Sequence, residues 1–183
     1  MIDKKSRKKL FAVLLFVIKL DIFLIPLFLL LRADFAYEPL QDFLASAVSS
    51  TINLLGYAAT SNGHYISVAF EKSVTIIDIT MDCTGWKSAY ALIALTAATP
   101  FAWKRKLKFL LLSIPAIFFI NYLRITSTIY YAQRLGLEYL DVIHSLLWRE
   151  GLVLAVLILW VLWLWRAKKG NKAINLFGRK YNI

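Results

Sequence analysis

The stretch "DITMDCTGWKSAYALIALTAATP", Asp78 to Pro100, holds the single cysteine of the chain, Cys83. A lone thiol closes no intramolecular disulfide, and it supplies one ligand where a structural zinc site takes four. Its remaining chemistry is nucleophilic. The thiolate is the attacking form, and a helix N-terminus with a cation nearby lowers a thiol pKa. Both features are expected here, because Thr84 onward reads as the start of a helix and Lys87 follows at i+4.

Two further residues suit the same chemistry. In "NYLRI", Asn121, Arg124, Thr128 and Tyr131 recur at steps of three and four and share one helix face. Arg124 falls about 12 Å from the outer end of that helix, a depth at which arginine is costly unless paired or hydrated. His144 opens the next apolar run. An imidazole can take a thiol proton and return it to a leaving amine, and a guanidinium offers fixed donors to an oxyanion. Each residue also has a plain structural reading. Cys83 could be inert packing, Arg124 could pair with Asp82, Asp141 or Glu150, and His144 could be an interfacial cap.

The elements that must position these groups are apolar. Of the 183 residues, 60% are hydrophobic and 15% aromatic. Leu10–Leu31, Phe109–Tyr131 and His144–Trp165 are each long enough for a bilayer core, and the less apolar Cys83–Ala102 carries one further span. The net charge of +11 is distributed by side. Residues 1–9, 103–108 and 166–183 hold 15 of the 22 Lys and Arg and only one acid, Asp3, while 32–82 and 133–143 hold eight of the eleven acids. By the positive-inside rule the first three segments are cytoplasmic and the last two extracytoplasmic. The charge is thereby a matter of topology, and nucleic acid is excluded as a partner. The first apolar run is too long for a signal-peptide core and is followed by no A-x-A-like site. Lys19 and Asp21 inside it are expected to face the bundle or water.

Between the first two spans, Leu40, Phe43, Leu44, Ala47, Val48, Thr51, Ile52 and Leu55 form an apolar stripe, with Glu38, Gln41, Asp42, Ser49, Ser50 and Asn53 mostly opposite. A helix lying along the outer interface fits this pattern. After the turn signal Ser61-Asn62-Gly63, "YISVAF" and "VTIIDIT" read as a small β-hairpin that delivers the chain to Cys83. His64, at its start, reads as a solvated loop residue. The expected fold is an all-α integral membrane protein. It has one domain over 1–183 and four transmembrane helices, with the amphipathic helix and hairpin between the first and second. No internal repeat, metal cluster, Gly-rich phosphate loop or serine elbow is present to suggest another chemistry.

With these residues in view, the chain resembles the exosortase/archaeosortase family of membrane cysteine transpeptidases. The resemblance rests on "CTGWKSAYAL" (Cys83 to Leu92, a C-x-G-x-x-S form), a basic loop, "IPAIFFINYLRI" (Ile114 to Ile125, ending in N-x-x-R), and His144 at the head of a hydrophobic helix. It implies Cys83 as nucleophile, Arg124 as electrostatic stabiliser and His144 in the third catalytic position. Asn121 would orient Arg124 or the substrate backbone, Gly85 would permit close backbone approach, and Ser88 would line the cleft beside Lys87. Arg149, in "SLLWREGLVL", could share or replace the role of Arg124. The implied substrates are membrane-anchored proteins with a C-terminal sorting signal, cut on the extracytoplasmic side of the cell membrane through a thioester. The new C-terminus would pass to an acceptor, a lipid in the archaeal cases, and no cofactor is required. The competing function is a non-catalytic membrane subunit of an envelope polysaccharide or export system.

Overall fold

The computed structural model of the protein describes residues 4–33, 36–70, 73–136 and 151–178. The first helix, α1 (Lys4–Arg32), leaves Leu10, Phe11, Val13, Leu14, Ile22 and Ile25 exposed along its length. Such a surface is stable in lipid rather than water. Lys19 is half-buried as expected, but Asp21 lies on the exposed side. Pro26 interrupts the helix ladder, and the Tyr90 hydroxyl donates to the nearby Phe23 carbonyl at 2.7 Å, which fastens α1 to the third helix.

The segment between α1 and the third helix is more built than a hairpin beneath a surface helix. Helix α2 (Glu38–Leu54) and strands β1 (Ala59–Asn62), β2 (Tyr65–Ala69) and β3 (Val74–Asp78) form one unit. The sheet is antiparallel in the order β1-β2-β3, with Ala59 opposite Val68 and Tyr65 opposite Asp78. The added strand β1 corrects the all-α, two-strand expectation. Its sequence, Ala-Thr-Ser-Asn, carries a poor β signal because only Ala59 is buried. The Asn53 side chain holds it by bonding both to the Ala59 carbonyl and to the Ala59 amide.

Leu44, Ala45, Val48 and Ile52 of α2 pack with Ile66 and Val68 of the sheet. Ile125 and Ile129 of the fourth helix complete this core. The α2 stripe is therefore spent on the protein interior. Gln41 and Ser49, assigned to its polar side, are buried, and Gln41 Nε2 donates to the Ile79 carbonyl at 2.9 Å. Phe43, counted in the stripe, is exposed.

The membrane bundle contains α3 (Trp86–Ala98), α4 (Trp103–Leu135) and α5 (Leu152–Gly178). Helix α3 packs against all three long helices. Small residues at Ala89, Ala94, Ala97 and Ala98 let those neighbours approach. Its 13 residues span only about 20 Å, short of a bilayer core of about 30 Å. The expected span Cys83–Ala102 is thus a turn, a short helix and a linker, stopped ahead of Pro100. Among the described residues, two helical segments are long and apolar enough to cross a membrane, Leu10–Arg32 and Trp103–Leu135. The basic segment 103–108, read as a loop, is the first part of α4, and buried Lys106 donates from Nζ to the Ala97 carbonyl at 2.8 Å. A cation here satisfies an open carbonyl at the α3 C-terminus, where the helix dipole favours it.

Candidate active site

Cys83 lies in a 3-10 turn, Met81–Thr84, ahead of α3 and outside the two spanning segments. The turn is closed locally: the Cys83 amide bonds to the Thr80 carbonyl at 2.9 Å, and the Thr84 hydroxyl donates to the Met81 carbonyl at 2.8 Å. Gly85 then adopts φ +85°, the left-handed conformation that turns the chain from the 3-10 turn into α3. A Cβ at Gly85 would stand 3.0 Å from Cγ of Asn121, which is fully buried and has little room to yield.

Asn121, on α4, is the tie between two helices. Its Nδ2 donates to the Cys83 carbonyl at 2.7 Å, while its Oδ1 accepts from Nε of Arg124 at 3.1 Å. Arg124 is itself only 9% exposed, and Thr128 caps its carbonyl at 2.9 Å. Tyr131, placed on the same face by spacing, is exposed and stands apart from this set. The guanidinium borders a cleft of about 220 Å³ lined also by Asp82, Gly85, Lys87, Ser88, Leu152 and Val153. The structure thus brings Gly85, Lys87, Ser88 and Arg124 together on the cleft, and Asn121 ties Cys83 to Arg124 beside it, while the Cys83 side chain packs against the α2–sheet core rather than lining the cleft. His144 and Arg149, with Asp141 and Glu150, lie outside the described residues.

Lys87 does not act as foreseen. Its Nζ pairs with Asp82 at 2.7 Å across the turn, so its charge is already balanced. Burial pushes the Cys83 thiol above its ordinary pKa, although the Thr80 hydroxyl, 3.3 Å from Sγ, and the charge of Arg124 pull it down. Desolvation outweighs the favourable partners, and the expected lowering of the thiol pKa is corrected. Thr80 is the neighbour that spacing alone missed. A Thr-x-x-Cys interval has no meaning until a 3-10 turn brings its ends together. His64 is half-buried rather than loose, with Nδ1 3.9 Å from the Asp42 carboxylate and its ring against Tyr65.

Two predictions follow from this local geometry. Gly85→Ala should lower thermal stability more than Gly56→Ala, by the equivalent of about 1–2 kcal/mol or more. Both sites have positive φ, but only Gly85 faces a buried neighbour while Gly56 faces open space. Equal shifts in Tm would mean that the approach to Asn121 carries no strain. For the thiol, alkylation of Cys83 by iodoacetamide should be slow at pH 7 and continue to rise above pH 9, where an ordinary exposed thiol levels off. A plateau already reached by neutral pH would mean a preformed thiolate.

A family model described as transmembrane exosortase matches residues 6–164. No curated protein matches the chain, and no solved structure matches it.

Proposed function

We propose, on the premise that this chain belongs to the transmembrane exosortase family, that it is a membrane cysteine transpeptidase with Cys83 as nucleophile. Family membership supports a transpeptidase-like role in the membrane at the level of the family. The observation that carries the residue-level reading is Asn121, which bonds at once to the Cys83 backbone and the Arg124 guanidinium. A nucleophile and a fixed cation on separate elements are held through one buried amide, as a preorganised site requires.

In this reading a substrate helix enters from the lipid, and the peptide bond beside it reaches the cleft at Arg124. The Cys83 proton passes to His144 as Sγ bonds to the carbonyl carbon. The oxyanion that forms faces Arg124. Its collapse breaks the C–N bond, and His144 returns the proton to the departing amine, releasing the C-terminal anchor. The thioester then gives its acyl group to an acceptor hydroxyl, amine or water, and the sulfur regains its proton. A lipid is the proposed acceptor. Gly85 leaves room for substrate backbone, Ser88 and Lys87 line the cleft, and Arg149 is a candidate second cation. A thiol held above its ordinary pKa suits this scheme, because it needs a base rather than resting as thiolate.

The proposed topology has four membrane crossings, α3 making the second together with the turn before it and the linker after it, with 1–9, 103–108 and 166–183 cytoplasmic and 32–82 and 133–143 extracytoplasmic. The site then opens on the extracytoplasmic side, where an anchored protein emerges from the bilayer. The basic segments at both ends and at the start of α4 support that orientation.

The test is to map the C-termini of membrane and surface proteins from cells with and without this gene. Proteins that lose a hydrophobic C-terminal helix only when the gene is present support the reading. Their new ends give the recognition motif, and any added mass names the acceptor. Identical maps, with hydrophobic C-termini well covered, refute it. The burial of the thiol favours one other reading, a non-catalytic subunit of an envelope polysaccharide or export system. That reading predicts no change in C-termini.

A further inference from the structure

A second cavity lies at the opposite end of the bundle from Cys83. It measures about 430 Å³ and is lined by Arg105, Lys108 and Phe109 of α4 with Trp163, Arg166 and Ala167 of α5. Along α4, Arg105 and Arg124 are separated by about 28 Å of helical rise, so the two sites are distinct. Three cations from two helices converge on it. Neither helix contributes an acid, since no Asp or Glu occurs in Trp103–Leu135 or Leu152–Gly178.

The floor is aromatic. Trp163 is stacked on Phe109 with centroids 4.9 Å apart, and Phe101 meets it edge-on at 5.4 Å. Elsewhere on the same two helices, Trp103 and Trp165 are exposed, with Lys106 over the first ring at 4.7 Å and Lys169 over the second at 3.8 Å. Exposed tryptophans interleaved with lysines mark the level of lipid headgroups. Beyond the cavity, Leu112 follows Lys108 by one turn on α4, and Leu162 precedes Arg166 by one turn on α5. Both are exposed apolar side chains.

We propose that this cavity is a binding site for an anionic glycerophospholipid. The phosphate sits among Arg105, Lys108 and Arg166, the glycerol lies against Trp163, and the acyl chains run along Leu112 and Leu162. Basic pockets between membrane helices on the cytoplasmic side recognise anionic headgroups in this manner. The apolar track selects a lipid over a free phosphate, which would leave the track uncovered. This assignment is independent of the transpeptidase reading.

The test uses the full chain in nanodiscs of phosphatidylglycerol and phosphatidylcholine, with retained lipid counted by native mass spectrometry after transfer to detergent. Wild type should retain phosphatidylglycerol preferentially. The double variant Arg105→Gln/Arg166→Gln should weaken that retention about 30-fold, taking each basic group near an anionic surface as worth about a factor of five. Lys104→Gln/Lys168→Gln removes equal charge from exposed positions on the same two helices outside the cavity lining and should change retention little. Equal loss in both variants would replace the site by diffuse surface charge. Competition by inorganic phosphate at the same concentration as the lipid would make the occupant a free anion. Equal retention of the two lipids by wild type would overturn the proposal without any variant, so misfolding of a mutant cannot protect it.

Discussion

Cys83→Ala should abolish release of hydrophobic C-termini, by about four orders of magnitude or more, as loss of a covalent nucleophile does elsewhere. The variant should nonetheless insert and fold. The backbone of Cys83 makes the structural bonds at this position, its amide to Thr80 and its carbonyl from Asn121. Alanine keeps both. The side chain contributes a contact with the Thr80 hydroxyl and packing beside the α2–sheet core, a loss of roughly 1 kcal/mol. The measurements are C-terminal peptide mapping and thermal unfolding at matched expression. Normal processing by a well-folded Cys83→Ala protein would remove Cys83 from the chemistry. Lost processing together with lost folding would instead mark it as structural.

Arg124→Lys should reduce turnover by about 10²–10³-fold with little change in KM, the signature of a donor that matters chiefly in the transition state. Charge is conserved, so a point cation would suffice if Arg124 acted only through the long-range field. The planar fork is not conserved. Lysine has no Nε, and the buried Asn121 Oδ1 would lose the donor it now has at 3.1 Å. That loss destabilises the protein by about 1–3 kcal/mol. It also loosens Asn121 against the Cys83 carbonyl. Turnover near wild type would leave Arg124 as a structural brace between α4 and the Cys83 turn. Loss in KM alone would point to substrate binding.

The local patterns were legible for definite reasons. The exposed apolar length of α1 and the run through α4 follow directly from composition, because lipid imposes length and hydropathy on a spanning helix. The i, i+3, i+7 spacing of Asn121, Arg124 and Thr128 predicted a shared face, and all three are buried together. Tyr131 continued that spacing but is exposed, since periodicity specifies a face and says nothing of where the neighbouring elements end. Strand β1 and the buried side of α2 were obscure because their partners are distant in sequence. Gln41 reads as polar surface until the Ile79 carbonyl is brought to it.

By itself, the sequence determined that this is a basic, apolar chain with bilayer-length helices, and that one thiol, a deep arginine and a histidine are available for chemistry. Those properties are additive along the chain, so no fold is needed to read them. Only the tertiary structure decided which groups meet. It paired Lys87 with Asp82 rather than with the thiol, set Thr80 beside Sγ, and made Asn121 the tie between Cys83 and Arg124. It also raised the pKa of the Cys83 thiol: a thiol pKa depends on how much water surrounds it, and burial is a property of packed elements rather than of spacing.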